Sequence, residues 1–500
     1  MAGMFGWLRK SKAIEPSPVK RRLARGFDAA QISRLTNTWT RSSLSLDAEL
    51  LGKLPIIRAR SRDLGHNNEY AKKFFGMCET HIVGPNGFAL QVRPRRDDGS
   101  VDNIDGDAIE QAFERWAKRK NCGVTGTLSW VGICHQVVRS AARDGEWLVR
   151  KYRGPAYGPF GYMLQVLDVD RIITEKNEEL KGGGVIRMGV ELSPLGAPIA
   201  YHLHTKHPGD NTYYDYRHGQ IERVPAADVS HGFLQERPEQ TRGLPWMYAA
   251  MKRMWDLNGF DEAAIINARI GASKMGFWTN PDGTGDSLSD DAGQDGTLYT
   301  DAEPGVFGVA PLGYDFKTFD PAYPAQAYEP FVKACLRGVA SGLGVSYNVL
   351  SNDLENVNFS SIRSGVLEER DNWMVMQRWM IEQFCDDVFS DWLAMGLLMG
   401  AITGPTGKPL PSGKFDKFNA AAFRGRRWLW VDPRADMEAA SRAVSEGFKS
   451  RRDVVEDMGG DIDDVWAQLA REKDSAEKLG LDLGPPDQSG KINPAMEQFP

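Results

Sequence analysis

The sequence predicts an α+β fold, with helices and short strands that do not alternate as a regular βαβ series. Three observations predict it. Apolar residues recur at helical spacing over 51–80, 106–119 and 129–142, and in long stretches after 245. Between 146 and 235 they alternate instead, in short runs broken by Gly and Pro. The 500 residues are 41% apolar and 26% charged, the balance of a folded chain with several structural units.

Residues 1–50 read as a flexible basic arm, with Arg9, Lys10, Lys12, Lys20, Arg21, Arg22 and Arg25 among Pro and Ser. It is either a solvated leader or an electrostatic contact for DNA, an acidic scaffold or a shell. Leu51, Leu54, Ile57, Leu64, Tyr70, Phe74 and Cys78 mark the first helix. Gly84-Pro85-Asn86-Gly87 is turn chemistry, and Phe88, Leu90 and Val92 alternate as a strand. Ile109, Phe113 and Trp116 share a face of a second helix, and a third runs from Ser129 to Ala142. Strands are expected around Trp147 and Val149, around Met163, Gln165 and Leu167, and at Val185–Val190, Ile199–Leu203 and Ile221–Val224.

A long helix is predicted over 245–272, with Pro245 at its first position. Met247, Met251, Met254, Leu257, Phe260, Ala264, Ala268 and Gly271 form one stripe, tapering from large to small. Residues 273–324 are rich in Gly, Asp and Pro, with strand-like pieces at Val306–Val309 and Phe316–Phe319. Helix returns over 325–345, with Gly344 as its cap. Asn348, Asn352, Asp353, Asn356 and Asn358 give 346–360 the composition of a loop. A long helix from Ser361 to Gly400 carries Trp373, Trp379, Phe384, Phe389 and Trp392. Trp428–Val431 reads as a strand, and Asp432-Pro433 opens a helix that Gly447 ends. Ser450 and Asp453 form a capping box, and the tail 484–500 reads as disordered.

Several chemistries find no support. The five cysteines are scattered and form no CxxC pair, so reduced, buried thiols are expected. No GxxxxGK[ST], GxSxG or HExxH pattern occurs. His202, His204 and His207 read as surface histidines, and the Arg143-Asp144-Gly145-Glu146 charges as a solvated turn ahead of a strand. No catalytic residue, metal or cofactor is expected. No stretch is apolar enough to span a bilayer, so no membrane partner is expected. A net charge of -6 argues against tight nucleic-acid binding, but allows a protein that surrounds DNA without gripping it.

The order of several short motifs resembles the lambda-type phage portal family. Arg58-Ala59-Arg60-Ser61-Arg62-Asp63-Leu64 with Asn67-Asn68 and Tyr70-Ala71 looks like its opening helix. Asp144-Gly145-Glu146-Trp147-Leu148-Val149 and Leu164-Gln165-Val166-Leu167-Asp168-Val169-Asp170-Arg171-Ile172 resemble two of its strands. Val224-Pro225-Ala226-Ala227-Asp228-Val229, Arg237 through Gly243, Ala340 through Tyr347, Asn358 through Arg363 and Trp428 through Pro433 complete the set. The match covers about 50–480.

The resemblance implies a portal fold: an α/β wing, a two-helix stem, a small clip and a helical crown in a ring-forming subunit. The wing would span 51–244, the first stem helix 245–272, the clip 273–324 and the second stem helix 325–345. The tunnel loop would be 346–360, the wing return 361–432 and the crown 433–483. It implies a homo-oligomer, usually of twelve subunits, at one capsid vertex of the virion head, assembled in the host cytoplasm. Double-stranded DNA would pass through without sequence preference. Terminase, major capsid and scaffold proteins, and a head-completion or adaptor protein would be partners. A head–tail adaptor, another ring-forming virion protein and an enzyme of unknown class are the alternatives.

Glu329, Lys333 and Arg337 lie on one stripe of the returning helix. Lys333 or Arg337 would face the channel; the other reading is an intrahelical pair with Glu329. Asn352, Asp353, Glu355, Asn356 and Asn358 would stand nearest the duplex. Met247, Met251, Met254, Leu257, Phe260, Ala264 and Ala268 would pack against neighbouring subunits; the other reading is an ordinary core helix within one subunit.

Overall fold

The computed structural model describes residues 34, 37–210, 220–272, 276–279, 315–318, 325–355, 359–428 and 432–481. Residues 1–45 form one unit, whose described part, 34 and 37–45, holds turns and extended chain. Residues 46–500 form the second unit, described below.

The helical face predicted over 51–80 divides in two, α1 (Leu54–Asn67) and α2 (Glu69–Cys78). Asn68 adopts extended backbone, and its side-chain oxygen accepts the Ala71 amide at 2.9 Å. A polar side chain that caps one helix thus ends the previous one. A π-helical turn, Glu79–Val83, leads to β1 (Ala89–Val92), α3 (Asn103–Trp116) and α4 (Trp130–Asp144). Gly145 closes α4 at φ 93, where a Cβ would lie 2.4 Å from the Leu244 backbone.

Seven strands follow: β2 (Glu146–Arg153), β3 (Tyr162–Leu167), β4 (Val185–Arg187), β5 (Val190–Leu192), β6 (Pro198–His204), β7 (Ile221–Pro225) and β8 (Val229–Phe233). One antiparallel sheet has the order β3-β2-β8. The other begins with Glu178–Glu179 and continues β4-β5-β6-β7. The single strand expected at Val185–Val190 is a tight hairpin, because Met188 and Gly189 both take positive φ, 44 and 83. The sequence reading missed β8, since His231 and Gly232 interrupt its apolar alternation. Gly232 leaves room for the fully buried Trp147 ring, which a Cβ would meet at 2.1 Å.

The hairpin region comprises α5 (Met251–Ala272), β9 (Gly276–Thr279), β10 (Asp315–Thr318), α6 (Ala325–Leu343) and the short α7 (Tyr347–Ser351). The helix expected from 245 starts at Met251, after turns over 246–250. There the Trp246 amide donates to the Ala142 carbonyl of α4 at 3.0 Å, so the chain is anchored before it coils. β9 pairs with β10, antiparallel, and Val306–Val309 lies outside the described residues. Gly344, at φ 67, ends α6.

The chain then forms α8 (Phe359–Met380), a π-helical turn Ile381–Cys385, α9 (Asp386–Leu398), β11 (Ala421–Arg424), α10 (Pro433–Ser445), α11 (Arg451–Asp457) and α12 (Ile462–Leu479). The late strand is β11, paired with β1. The expected strand residue Trp428 lies in irregular chain, and 429–431 lie outside the described residues. The Ser450–Asp453 capping box has both of its bonds.

One large apolar core joins α2, α3, α4, β2, β3, α8 and α9. Phe113 and Trp392 meet edge to face at 5.0 Å, and Trp130 stacks on Phe384 at 5.4 Å. The Trp116 indole donates to the Tyr162 carbonyl at 2.9 Å, which lets a fully buried tryptophan keep its hydrogen bond. The base of the hairpin, from Met247 to Met254 and from Val339 to Leu343, belongs to the same core.

Beside that core lies a buried ion network. Glu146 is fully buried; its carboxylate meets Arg58 of α1 at 2.5 Å and Arg242 at 2.6 Å. It also meets His231 of β8 at 3.1 Å and accepts the Gly243 amide at 2.8 Å. Arg242 donates onward to the Met188 carbonyl at 2.7 Å. Arg62 binds Asp144 at 2.6 Å, Asp168 at 3.0 Å and Asp170 at 2.5 Å. The turn expected to be solvated is therefore an interior junction. Burial opposes ionisation of Glu146, but Arg242 and Arg58 outweigh it and hold the carboxyl well below its usual range.

Removing one partner from such a pair strands the others, at a cost of about 3–5 kcal/mol. Glu146→Gln is expected to lower unfolding free energy by that amount in denaturant titrations; a loss below about 1 kcal/mol would contradict the assignment. A second prediction concerns Glu110 of α3, which accepts the Val92 amide at 2.6 Å. Burial, helped by Asp107, Asp464 and Asp461, pushes its carboxyl up to about 7. The folded chain then holds a proton that the unfolded chain has lost, so this contribution fades as pH rises from the ordinary carboxylate range through 7. Glu110→Gln should flatten that slope in melting curves between pH 5 and 8, roughly.

Candidate functional site

The residues predicted nearest a duplex gather where α6, α7 and α2 meet. Ser346 caps α7, its hydroxyl accepting the Val349 amide. Asn352 ends it in the left-handed region, at φ 58, a conformation that Asn tolerates better than most side chains. The chain then turns back over α6. The Tyr347 hydroxyl donates to Asp353 at 2.7 Å, and Asp353 accepts the Glu355 amide at 3.1 Å. Those two bonds, Tyr347 first, hold the Asp353 carboxyl below its ordinary range.

Lys333 stands at the centre of the group. Its ammonium lies 2.7 Å from Glu329, 3.4 Å from Asp353 and 3.6 Å from Glu355. The intrahelical pair with Glu329 is present, and two loop carboxylates join it. The Glu329 bond, with Asp353 behind it, raises the Lys333 pKa. Arg337 lies over the Tyr347 ring, 5.3 Å from its centre. Lys73 of α2 donates to the Asn352 side chain. Sequence reasoning missed Lys73, and no signal pointed to it, because it lies far from the loop in the chain and on a different helix. Asn356 and Asn358 lie outside the described residues. The result is a short polar turn met by two ammonium groups, Lys73 bonded to Asn352 and Lys333 facing three carboxylates.

The helical hairpin corrects part of the predicted subunit contact. Met247 and Met254 are fully buried, and Met251, Leu257 and Ala264 nearly so, all within their own chain. The stripe is covered because α6 and the large apolar core lie against it. Ala250 packs on Gly342, and the Arg253 guanidinium crosses Gly338 where any Cβ would collide. Phe260 is 37% exposed; its ring meets Phe331 of α6 at 4.8 Å and stacks on Tyr328 at 5.8 Å. Ala268 is exposed. The apolar residues left open are others: Trp255 at 64%, Ile265 at 55%, Ile266 at 48% and Phe331 at 49%. Trp255 and Ile266 are three turns apart on one side of α5.

The histidines are not simply superficial. His202 is buried, 3.4 Å from Glu191. His207 lies 3.8 Å from both Asp168 and Asp170, but Arg62 already binds those two carboxylates. An arginine in that position opposes a cation there. No helix among the described residues is long and apolar enough to cross a membrane.

Comparison with known proteins agrees with the motif order. Residues 33–377 match the pattern of the phage portal protein, lambda family. A probable portal protein of Halomonas phage phiHAP-1 is 33% identical over 479 residues, covering 94% of this chain and 90% of its own length. Portal protein B of Escherichia phage lambda is 24% identical, covering 90% of this chain and 89% of its own. Among solved structures, the neck of an empty GTA particle aligns with 82% of this chain and 93% of its own, at 12% identity and a TM-score of 0.45. With the family pattern over most of its length and a portal relative at one third identity, this chain belongs to the lambda family of phage portal proteins.

Proposed function

We propose that copies of this chain close into a ring, of twelve subunits by family habit, at one vertex of the head, and that double-stranded DNA enters and leaves through its centre. The observation that carries this reading is the hairpin of α5 and α6. It hides one apolar side within its own subunit and leaves Trp255 and Ile266 open on another, with Ile265 of α5 and Phe331 of α6 exposed as well. Exposed apolar surface of this kind marks a contact, and a ring supplies one by repeating a heterologous interface.

The polar turn after α7 suits a wall that a duplex slides past. A free lysine would hold phosphate and release counterions, giving salt-dependent binding that resists motion. Lys333 is instead engaged by Glu329, Asp353 and Glu355. The region 273–324 would meet terminase and later a head-completion or adaptor protein, and 51–244 would meet capsid and scaffold, with assembly in the host cytoplasm. No catalytic step is part of this reading.

Trp255→Glu with Ile266→Glu is expected to abolish rings in negative-stain images while leaving the melting temperature of the subunit nearly unchanged; intact rings would overturn the interface. Glu329→Gln, Asp353→Asn and Glu355→Gln together free Lys333. Rings should still form, and packaged genome length should fall, with retained DNA released by added salt. Unaltered packaging at low salt would remove the loop from the channel wall.

A further inference from the structure

Many charged groups on this surface meet a partner of opposite sign. Arg96 pairs with Asp102, Lys417 with Asp102 and Asp105, Arg223 with Glu191, and Arg452 with Asp463. One stretch gathers several cations without such a partner. From Arg115 to Arg143 the sequence contains no Asp or Glu. Its first part, at the end of α3 and in the short helical turn Arg119–Cys122, exposes Arg115, Lys118, Arg119 and Lys120. Among the described residues none of the four has an ion pair, and Arg119 spends its Nε–H on the Gly126 carbonyl, at 3.1 Å. Glu114 is the one carboxylate adjoining them in sequence.

Four cations within six residues, on a chain of net charge -6, form a local positive pole on an acidic protein. A pole of this kind attracts a polyanion. Two features favour phosphate over the carboxylates of a protein partner. A protein interface needs apolar or aromatic anchors at its centre. Here Trp116, Cys122 and Trp130 are buried, and Val124, 42% exposed, is the large apolar side chain left open between Arg115 and Trp130. The neighbouring exposed groups are the hydroxyls of Thr125 and Thr127, 2.7 Å apart. Cations interleaved with hydroxyls and with little apolar surface are the composition of a nucleic-acid backbone contact.

We infer that Arg115, Lys118, Arg119 and Lys120 form a second, sequence-independent docking site for the phosphate backbone of duplex DNA, separate from α6 and the turn after α7. The site deepens the ring reading, for a duplex held there would lie against the wing block rather than in the channel. Binding there is governed by counterion release, so its strength falls steeply with salt.

The test uses the full chain and a 30-bp duplex carrying streptavidin on both ends, which cannot thread a closed ring. Fluorescence anisotropy is followed at salt concentrations of roughly 50 to 200 mM. The triple variant Arg115→Gln, Lys118→Gln, Lys120→Gln spares the Arg119–Gly126 bond. Its plot of log affinity against log salt should be shallower by about 2.7, three phosphates at about 0.9 each. Its affinity at the lowest salt should drop at least tenfold. The charge-conserving variant Arg115→Lys, Lys118→Arg, Lys120→Arg should bind like the parent, which separates lost charge from misfolding. An unchanged slope in the first variant, or lost binding in the second, overturns the site. So does polyglutamate of equal charge that competes on equal terms, since the partner would then be an acidic protein. Failure of the channel reading would show separately, as an absence of rings with capped-duplex binding intact.

Discussion

Glu146 is the charge around which the helices and sheets of the first half of the chain are placed. Its carboxylate is fully buried, yet it gathers Arg58 from α1, His231 from β8, and Arg242 and the Gly243 amide from the segment before the hairpin. A buried carboxylate persists as a charge only where donors replace the water it loses. Four segments distant in sequence must therefore arrive together. Gly145 and Gly243 permit the approach, since a Cβ on Gly243 would lie 2.1 Å from the Gly145 carbonyl oxygen. The motif residues Arg58, Arg62, Asp144, Glu146, Asp168, Asp170, Arg242 and Gly243, scattered through the first half of the chain, are neighbours in this one network.

The network also fixes where the helical hairpin begins. Gly243 is tied to Glu146, and Trp246 to Ala142 of α4, so α5 emerges with its first turns already pressed into the core. That is why Met247, Met251 and Met254 pack within their own subunit. The apolar residues farther along, Trp255 and Ile266 among them, lie on the other side and find no cover in one chain. A helix that is apolar on two sides is a helix with two neighbours.

Charge is distributed with the same economy. At the turn after α7, Lys333 is held by three carboxylates and Arg337 lies against an aromatic ring. At the end of α3, four exposed cations stand without an ion pair among the described residues. Both lie on a chain whose overall charge is negative.

Much of this was legible in the residues themselves. Caps at Asp432 and Ser450, the stop at Gly344 and the periodic faces of α3, α4 and α6 are local, because capping and amphipathicity depend on side chains a few positions apart. The family was legible in the order of its motifs. Other features depended on partners remote in sequence. The sequence alone marked Met247 to Ala264 as a stripe needing cover, but periodicity does not say whether the cover comes from the same subunit or the next. It marked Glu146 as a charge at a turn, but burial is a property of what packs around a residue. Arg58 and Arg242, 88 and 96 residues away, turned that charge into an interior junction. The sequence by itself therefore determined the elements and their family. Tertiary structure decided which faces are spent within the subunit and which remain for others, because only the folded chain brings distant residues close enough to exclude water.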